Sequence, residues 1–230
     1  MRLSKTALYG SAGVVAGAAG ITAYSMRLRP RMLRWGATEH EVERAWPSDR
    51  LLPKDVGFES VHAVTVHAPA DQVWPWIVQI GQGRAGFYSY DWLENLWGAD
   101  IHNILEIVPE FQDREEGDIV WLAAPDRFGG NARMIVGLLE PERMMALIEP
   151  SDVEAVARGE DAEHGYWAFH VEPVDANECR LVMRLKGARN PRFGEKLARL
   201  LFWEFAHFIM ERKMMKTIKT LAEDEVAPAV

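Results

Sequence analysis

Gly194-Glu-Lys-Leu-Ala-Arg-Leu-Leu-Phe-Trp-Glu-Phe-Ala-His-Phe-Ile-Met-Glu-Arg-Lys-Met-Met-Lys-Thr-Ile-Lys-Thr-Leu-Ala-Glu223 predicts a helix of about eight turns. At about 100° per residue, Leu197, Leu201, Phe208 and Met215 fall on one line flanked by Leu200, Phe205 and Ile218. That stripe is expected to face a sheet. Glu204 and Glu211 lie about 40° to 60° from the Phe208 line and His207 about 100° from it, so two carboxylates border the buried stripe. Carboxylates placed there need an arginine, a histidine, a ligand polar group or water. Arg84, His102 and Arg133 are the expected partners.

Upstream, the chain alternates strand-like and turn-like segments. Thr38-Glu39-His40-Glu41 has the spacing of a capping box, predicting a short helix over Glu39 to Trp46 that Pro47 ends. Ser48 to Gly57 reads as an irregular crossover. Ser60 to His67 is β-branched enough for a strand although its alternation is imperfect. Ala68-Pro69-Ala70-Asp71 opens a helix that buries Val73, Trp74, Ile77 and Val78, with Pro75 bending it. A second helix is expected over Tyr90 to Trp97. Short apolar stretches then follow at 104–111, 118–123, 132–139, 143–149, 166–173 and 179–186, with Gly-Asp, Glu-Pro-Glu and Asp-Ala-Asn at joints between them. They read as an antiparallel meander. The acidic stretch Ser151 to His164 is its longest expected loop.

Strand, two short helices, meander and one long last helix is the element order of the START-like or SRPBCC superfamily, which includes the birch-pollen allergen fold, lipid-transfer START domains and polyketide cyclases. The stretch Val73-Trp-Pro-Trp-Ile-Val-Gln-Ile-Gly-Gln-Gly-Arg-Ala-Gly-Phe-Tyr-Ser-Tyr-Asp-Trp-Leu-Glu-Asn-Leu96 resembles that of bacterial members. So do Arg34-Trp-Gly-Ala-Thr, Asp100-Ile-His-Asn, Ile107-Val-Pro-Glu-Phe-Gln and Gly117-Asp. The resemblance spans Arg34 to Ala222. It implies an α+β helix-grip fold, a curved antiparallel β-sheet wrapped around a long C-terminal α-helix, with a cavity for a lipophilic molecule between them. The expected organisation is an anchor with a basic flank over 1–34, a linker with a short helix over 35–58, the helix-grip domain over 59–223 and a tail over 224–230.

Several residues then compete for the site. Gly81-Gln-Gly-Arg-Ala-Gly86 matches G-x-G-x-x-G literally, but a helix precedes it and no βαβ surroundings follow, so it reads as a tight turn and not a dinucleotide site. Trp74, Arg84, Tyr88, Tyr90, Asp91 and Asn95 are expected either to hold a ligand or to tie the short helices to the sheet. Trp121, Arg133, Trp167, Phe169 and Phe208 are core or cavity lining. Glu204, His207 and His102 would make an acid/base set if the protein is an enzyme of cyclase, dehydratase or hydrolase type. Otherwise Glu204 and Glu211 are buried carboxylates held by arginine. No compact ligand triad for a metal is present, and neither metal nor cofactor is expected. With no G-x-S-x-G and one cysteine, Cys179, in an expected strand, nucleophilic serine or cysteine chemistry has no support.

The formal net charge is −8, with Arg2, Lys5, Arg27, Arg29, Arg31 and Arg34 all preceding the first acid, Glu39. The remaining body therefore carries −14, which disfavours nucleic acid as a partner. Ala7 to Met26 is a run of 20 uncharged residues, long enough at about 1.5 Å per residue to cross a bilayer of about 30 Å. Its expected role is a single-pass membrane anchor. The alternative is a signal peptide cleaved after Ala19 or Ala23 and a secreted product. The basic flank and the unpaired Cys179 favour an anchor with the domain on the cytoplasmic side. A small lipophilic molecule and the bilayer are thus the expected partners. A third possibility is a protein-interaction module that docks through the Leu200 to Met210 face.

Overall fold

The computed structural model describes residues 24–51, 56–187 and 203–226. One antiparallel sheet holds β1 (Phe58–Val66), β2 (Ile119–Trp121), β3 (Arg133–Glu140), β4 (Met144–Ile148), β5 (Gly165–Pro173) and β6 (Cys179–Gly187), in the order β1-β6-β5-β4-β3-β2. The helices are α1 (Arg29–Leu33), α2 (Glu39–Glu43), α3 (Ala70–Val78), α4 (Asp91–Leu96), α5 (Val153–Ala157) and α6 (Glu204–Val226). Strands β2 to β6 are a meander. Only β1 comes from far away in sequence, pairing with β6 from Phe58↔Gly187 to Val66↔Cys179. This is the helix-grip arrangement.

The sheet is covered on both faces. On the concave face α3 and α6 pack against the sheet, with Val73, Ile77, Met215, Ile218 and Ala222 fully buried beside Phe169 and Leu181. On the outer face Trp46 covers Val61, Ala63 and Val182, and Leu51 covers Ala146, Ile148 and Ala168. Double coverage explains the imperfect alternation of β1, since a strand buried on both sides has no polar face to alternate with. The stretch expected to be a linker thus has Trp46 and Leu51 in packed clusters. Its capping box is formed, with Thr38 Oγ1 accepting from the Glu41 N–H and Glu41 accepting from the Thr38 N–H at 2.7 Å. The helix ends at Glu43, before the expected Trp46, and Pro47–Leu51 is a 3-10 turn.

Charged residues inside β6 have their reason on this outer face. Asp49 accepts from Arg184 at 2.8 Å, Lys186 at 2.9 Å, Tyr166 Oη at 2.8 Å and the Trp46 N–H at 2.8 Å. Burial alone would raise its carboxyl, but these donors outweigh burial and hold it far below the usual carboxylate range. Beside it His170 lies under Trp46 with ring centroids 4.6 Å apart, bonded to Ser48 Oγ at 3.0 Å. Burial, then Arg184 and Arg44, push its imidazole down to about 3, so it stays neutral.

Three expectations need correction. Residues 104–111 are not a strand, because neighbouring side chains take their backbone groups crosswise. Gln79 donates to the Glu106 carbonyl at 3.0 Å and accepts from the Val108 N–H at 3.1 Å, Arg84 donates to the Phe111 carbonyl, and Pro109 has no N–H for a ladder. The stretch 151–164 is not a plain loop. It contains a 3-10 turn at Pro150–Asp152 and then α5, whose Val153 and Val156 pack on the Leu51 cluster. On α6 the buried line is Glu204, Glu211, Met214, Met215, Ile218 and Ala222, while Phe205 is 52% exposed. The carboxylates therefore lie on the stripe and Phe205 off it. Leu197, Leu200 and Leu201 lie outside the described residues, as does most of the apolar run at 7–26. Among the described residues no helix is long and apolar enough to cross a membrane.

Candidate functional site

Between the concave face, α6 and the segment 87–101 lies a cavity of about 1160 Å³, larger than the roughly 300–1,000 Å³ of ordinary small-molecule pockets. Its wall is assembled from motif residues that tie one another in place. Gly81 and Gly86 exchange backbone hydrogen bonds of 2.9 and 3.0 Å across the glycine-rich turn. Gly86 has φ +71°, and a Cβ there would stand 2.5 Å from Asn103 Oδ1, so glycine is required. That same Oδ1 accepts from the N–H groups of Phe87 at 3.0 Å and Tyr88 at 2.6 Å, and the Asn103 amide donates to Ser89 O and Asp91. Asn95 exchanges two 2.7 Å bonds with the Ile101 backbone. These ties present Phe87, Ser89, Glu94, Trp97 and Ile101 to the cavity.

The α6 wall carries a buried ionic hub. Glu211 accepts from His62 Nδ1 at 2.7 Å and Trp167 Nε1 at 3.1 Å, and His207 Nε2 lies 3.2 Å from it. Burial would raise this carboxyl, but the two imidazoles outweigh burial and hold it far below the usual range. His62 Nε2 faces the Met32 carbonyl at 3.0 Å. A carbonyl only accepts, so Nε2 is the donor in that bond. His207 stacks on Trp203 with centroids 4.8 Å apart, and both line the cavity. An imidazole on a cavity wall beside a fixed carboxylate is able to move a proton to or from a bound molecule.

A second polar point lies on the α4 side. Glu94 and Ser89 are 6% and 7% exposed, and Glu94 Oε2 and Ser89 Oγ have no hydrogen-bond partner. Burial, then the neighbouring Asp91 charge, push the Glu94 carboxyl up to about 7. The rest of the lining is largely apolar, including Leu122, Met134 and Trp167.

Of the residues singled out from sequence, Trp167, His207 and Glu211 line the cavity. Arg84, Asp91 and Asn95 serve as ties, Arg84 lying over Phe111. Tyr88 is fully buried against Trp76 and bonded to Gln79 at 2.7 Å. Trp74 and Phe169 are core. Phe208 packs edge-on against His62 and Trp35. Tyr90 lies beside Trp92 at the surface, and Arg133 reaches over Trp121 and donates to the Gly130 carbonyl. The expected partners of the α6 carboxylates are corrected. Arg29 holds Glu204 through bonds of 2.6 and 3.0 Å, and His62, His207 and Trp167 hold Glu211. His102 is 78% exposed and pairs with Asp100 at 3.3 Å, so it does not join Glu204 and His207 in one set. Sequence reasoning passed over Glu94, Ser89 and His62. A signal for Glu94 existed, because it shares a helix turn with Asp91 and no basic residue of that helix can pair with it. Among the described residues no His, Cys, Asp and Glu cluster fits a metal ion.

The chain is similar to solved structures of low sequence identity. The Zhui aromatase/cyclase of Streptomyces sp. R1128 is 18% identical, covering 74% of this chain and 96% of its own, with a TM-score of 0.42. A norcoclaurine synthase point mutant of Thalictrum flavum is 18% identical, covering 74% and 96%, at 0.41. CalC, a self-sacrificing resistance protein of Micromonospora echinospora, is 10% identical, covering 74% and 97%, at 0.43. No protein-family model matches the chain, and no curated protein matches it.

Proposed function

We propose that this protein binds or transfers a small lipophilic molecule held between the sheet and α6, while the N-terminal apolar run tethers it to a membrane. The observation that carries the reading is the cavity itself, about 1160 Å³ walled mainly by aromatic and aliphatic side chains. Apolar surface exposed to so large a hollow is stabilised by a ligand that removes it from water. The tether gains support from Arg29. This residue of the basic flank is bonded to Glu204, one residue from cavity-lining Trp203, which brings the chain from the apolar run to the cavity rim.

The test is extraction of the purified protein with organic solvent and mass spectrometry of what is released, beside uptake of a fluorescent apolar probe. Ala132→Trp places an indole in the cavity wall and should weaken probe uptake by about tenfold or more without unfolding the protein. An unaltered probe affinity in a folded A132W variant would refute the reading.

A further inference from the structure

The charges around the cavity do not balance. Lys186 is paired with Asp49 at 2.9 Å, His164 with Asp152 at 2.9 Å, and His207 lies 3.2 Å from Glu211. Glu149 feels the His164 imidazole. Among the described residues each basic side chain on the lining therefore has a carboxylate beside it already. Among the described residues Glu94 has no cation partner, and the charge acting on it is another carboxylate, Asp91, which is bonded to the neutral Asn103. Ser89 Oγ and Glu94 Oε2 are both buried and both without a partner, and the two residues line this one cavity. A buried polar atom left unpaired is unfavourable until something in the cavity bonds to it. Phe87 on the same wall offers a π face, which attracts a cation and accommodates an apolar body.

We propose that Ser89 and Glu94 are the head-group site of the cavity and that its ligand is an apolar molecule bearing one basic amine. This rests on the ligand-binding reading above and narrows it. An ammonium has three hydrogens to offer to such oxygens and the positive charge that the Asp91–Glu94 turn lacks. A neutral alcohol supplies one hydrogen and no charge.

The affinity then depends on pH. A primary ammonium stays protonated between pH 6 and 8, whereas a carboxyl near 7 goes from about one tenth to about nine tenths ionised. Affinity for the amine should rise about tenfold over that range, because only the ionised form pairs with it. His164 also faces the cavity and loses positive charge as pH rises, so the Glu94→Gln variant is needed to isolate the effect.

The experiment uses the full chain in phosphatidylcholine nanodiscs and two probes of equal shape, 1-naphthylmethylamine and 1-naphthylmethanol, followed by tryptophan quenching. The amine is expected to bind at least tenfold more tightly than the alcohol at pH 8. E94Q should remove that preference and the pH slope, weakening the amine at least tenfold more than the alcohol. Equal binding of the two probes by the wild type, or equal weakening of both by E94Q, overturns the head-group site and leaves the ligand-binding reading standing. If neither probe binds, both readings fail. If E94Q does not fold, the wild-type amine-to-alcohol ratio and its pH slope decide alone.

Discussion

Glu211→Gln removes the charge at the centre of the α6 wall and changes the shape of the side chain little. Glu211 is 2% exposed and receives His62 and Trp167 while lying 3.2 Å from His207. His62 cannot turn away, because its other nitrogen is held by the Met32 carbonyl. Removing one partner from a buried pair costs about 3–5 kcal/mol. For a chain of this size that is a melting temperature lower by about 6–20 °C. The sign with pH is fixed by the direction of the shift. Glu211 lies well below its ordinary value of 4.5, so its contribution is complete above that value and is lost as pH falls through the folded one. Calorimetry and urea titration at pH 7 should show the full gap between E211Q and wild type, and the gap should narrow below pH 4.5. His62→Gln should cost a similar amount, and the double variant little more than either alone, because both remove one interaction. A loss below about 1 kcal/mol at pH 7, a gap that stays constant from pH 7 to pH 3, or single effects that simply add would refute the hub.

Two further perturbations probe the pH response and the N-terminal segment. His170 is held down to about 3 and Glu94 up to about 7, so as pH falls from 6.5 to 5 the first loses and the second gains about 2 kcal/mol of stability. These slopes oppose each other in the wild type. His170→Gln should therefore become more stable over that interval and E94Q less stable, by about 2 kcal/mol each in urea titrations; identical slopes in the two variants would contradict both burials. A chain beginning at residue 24 should keep its melting temperature to within about 2 °C, whereas one beginning at residue 35 should lose about 10 °C or more. The second lacks Arg29 for Glu204 and the Met32 carbonyl for His62, and equal stability of the two would show those contacts to be idle.

The fold was legible because its signals are local. Thr38 and Glu41 form their cap whatever lies around them, and the joints between strands carry turn residues such as Asp175 and Asn177. Where expectation and structure part, a distant residue intervened. The 104–111 stretch is β-like by composition, yet Gln79 and Arg84 take its backbone groups from more than 20 positions upstream. A helical wheel treats Glu204 and Glu211 as polar and moves the buried stripe towards Phe205. Their placement at the centre of the stripe depends on Arg29 and His62, which lie 175 and 149 positions away.

Two kinds of polar residue share the aromatic segment 84–103. Asn95 and Asn103 use their side-chain amides on backbone groups within 16 positions, and Asp91 bonds to Asn103, so a sequence rich in binding-type side chains mostly secures its own loops. What such a segment leaves over is more informative than what it contains. Once these ties are made, Arg84 Nε, Ser89 Oγ and Glu94 Oε2 are left without partners, and Ser89 and Glu94 are residues of the cavity lining. An evenly apolar wall would be better packed without them, since a buried unpaired carboxylate costs several kcal/mol. Within a loop scaffold that satisfies its amides, they give the wall an unpaired polar point on the α4 side, apart from the paired Glu211 and His207 on α6. A purely greasy hollow would not discriminate between ends of a guest, so the amine and alcohol probes should separate the two cases.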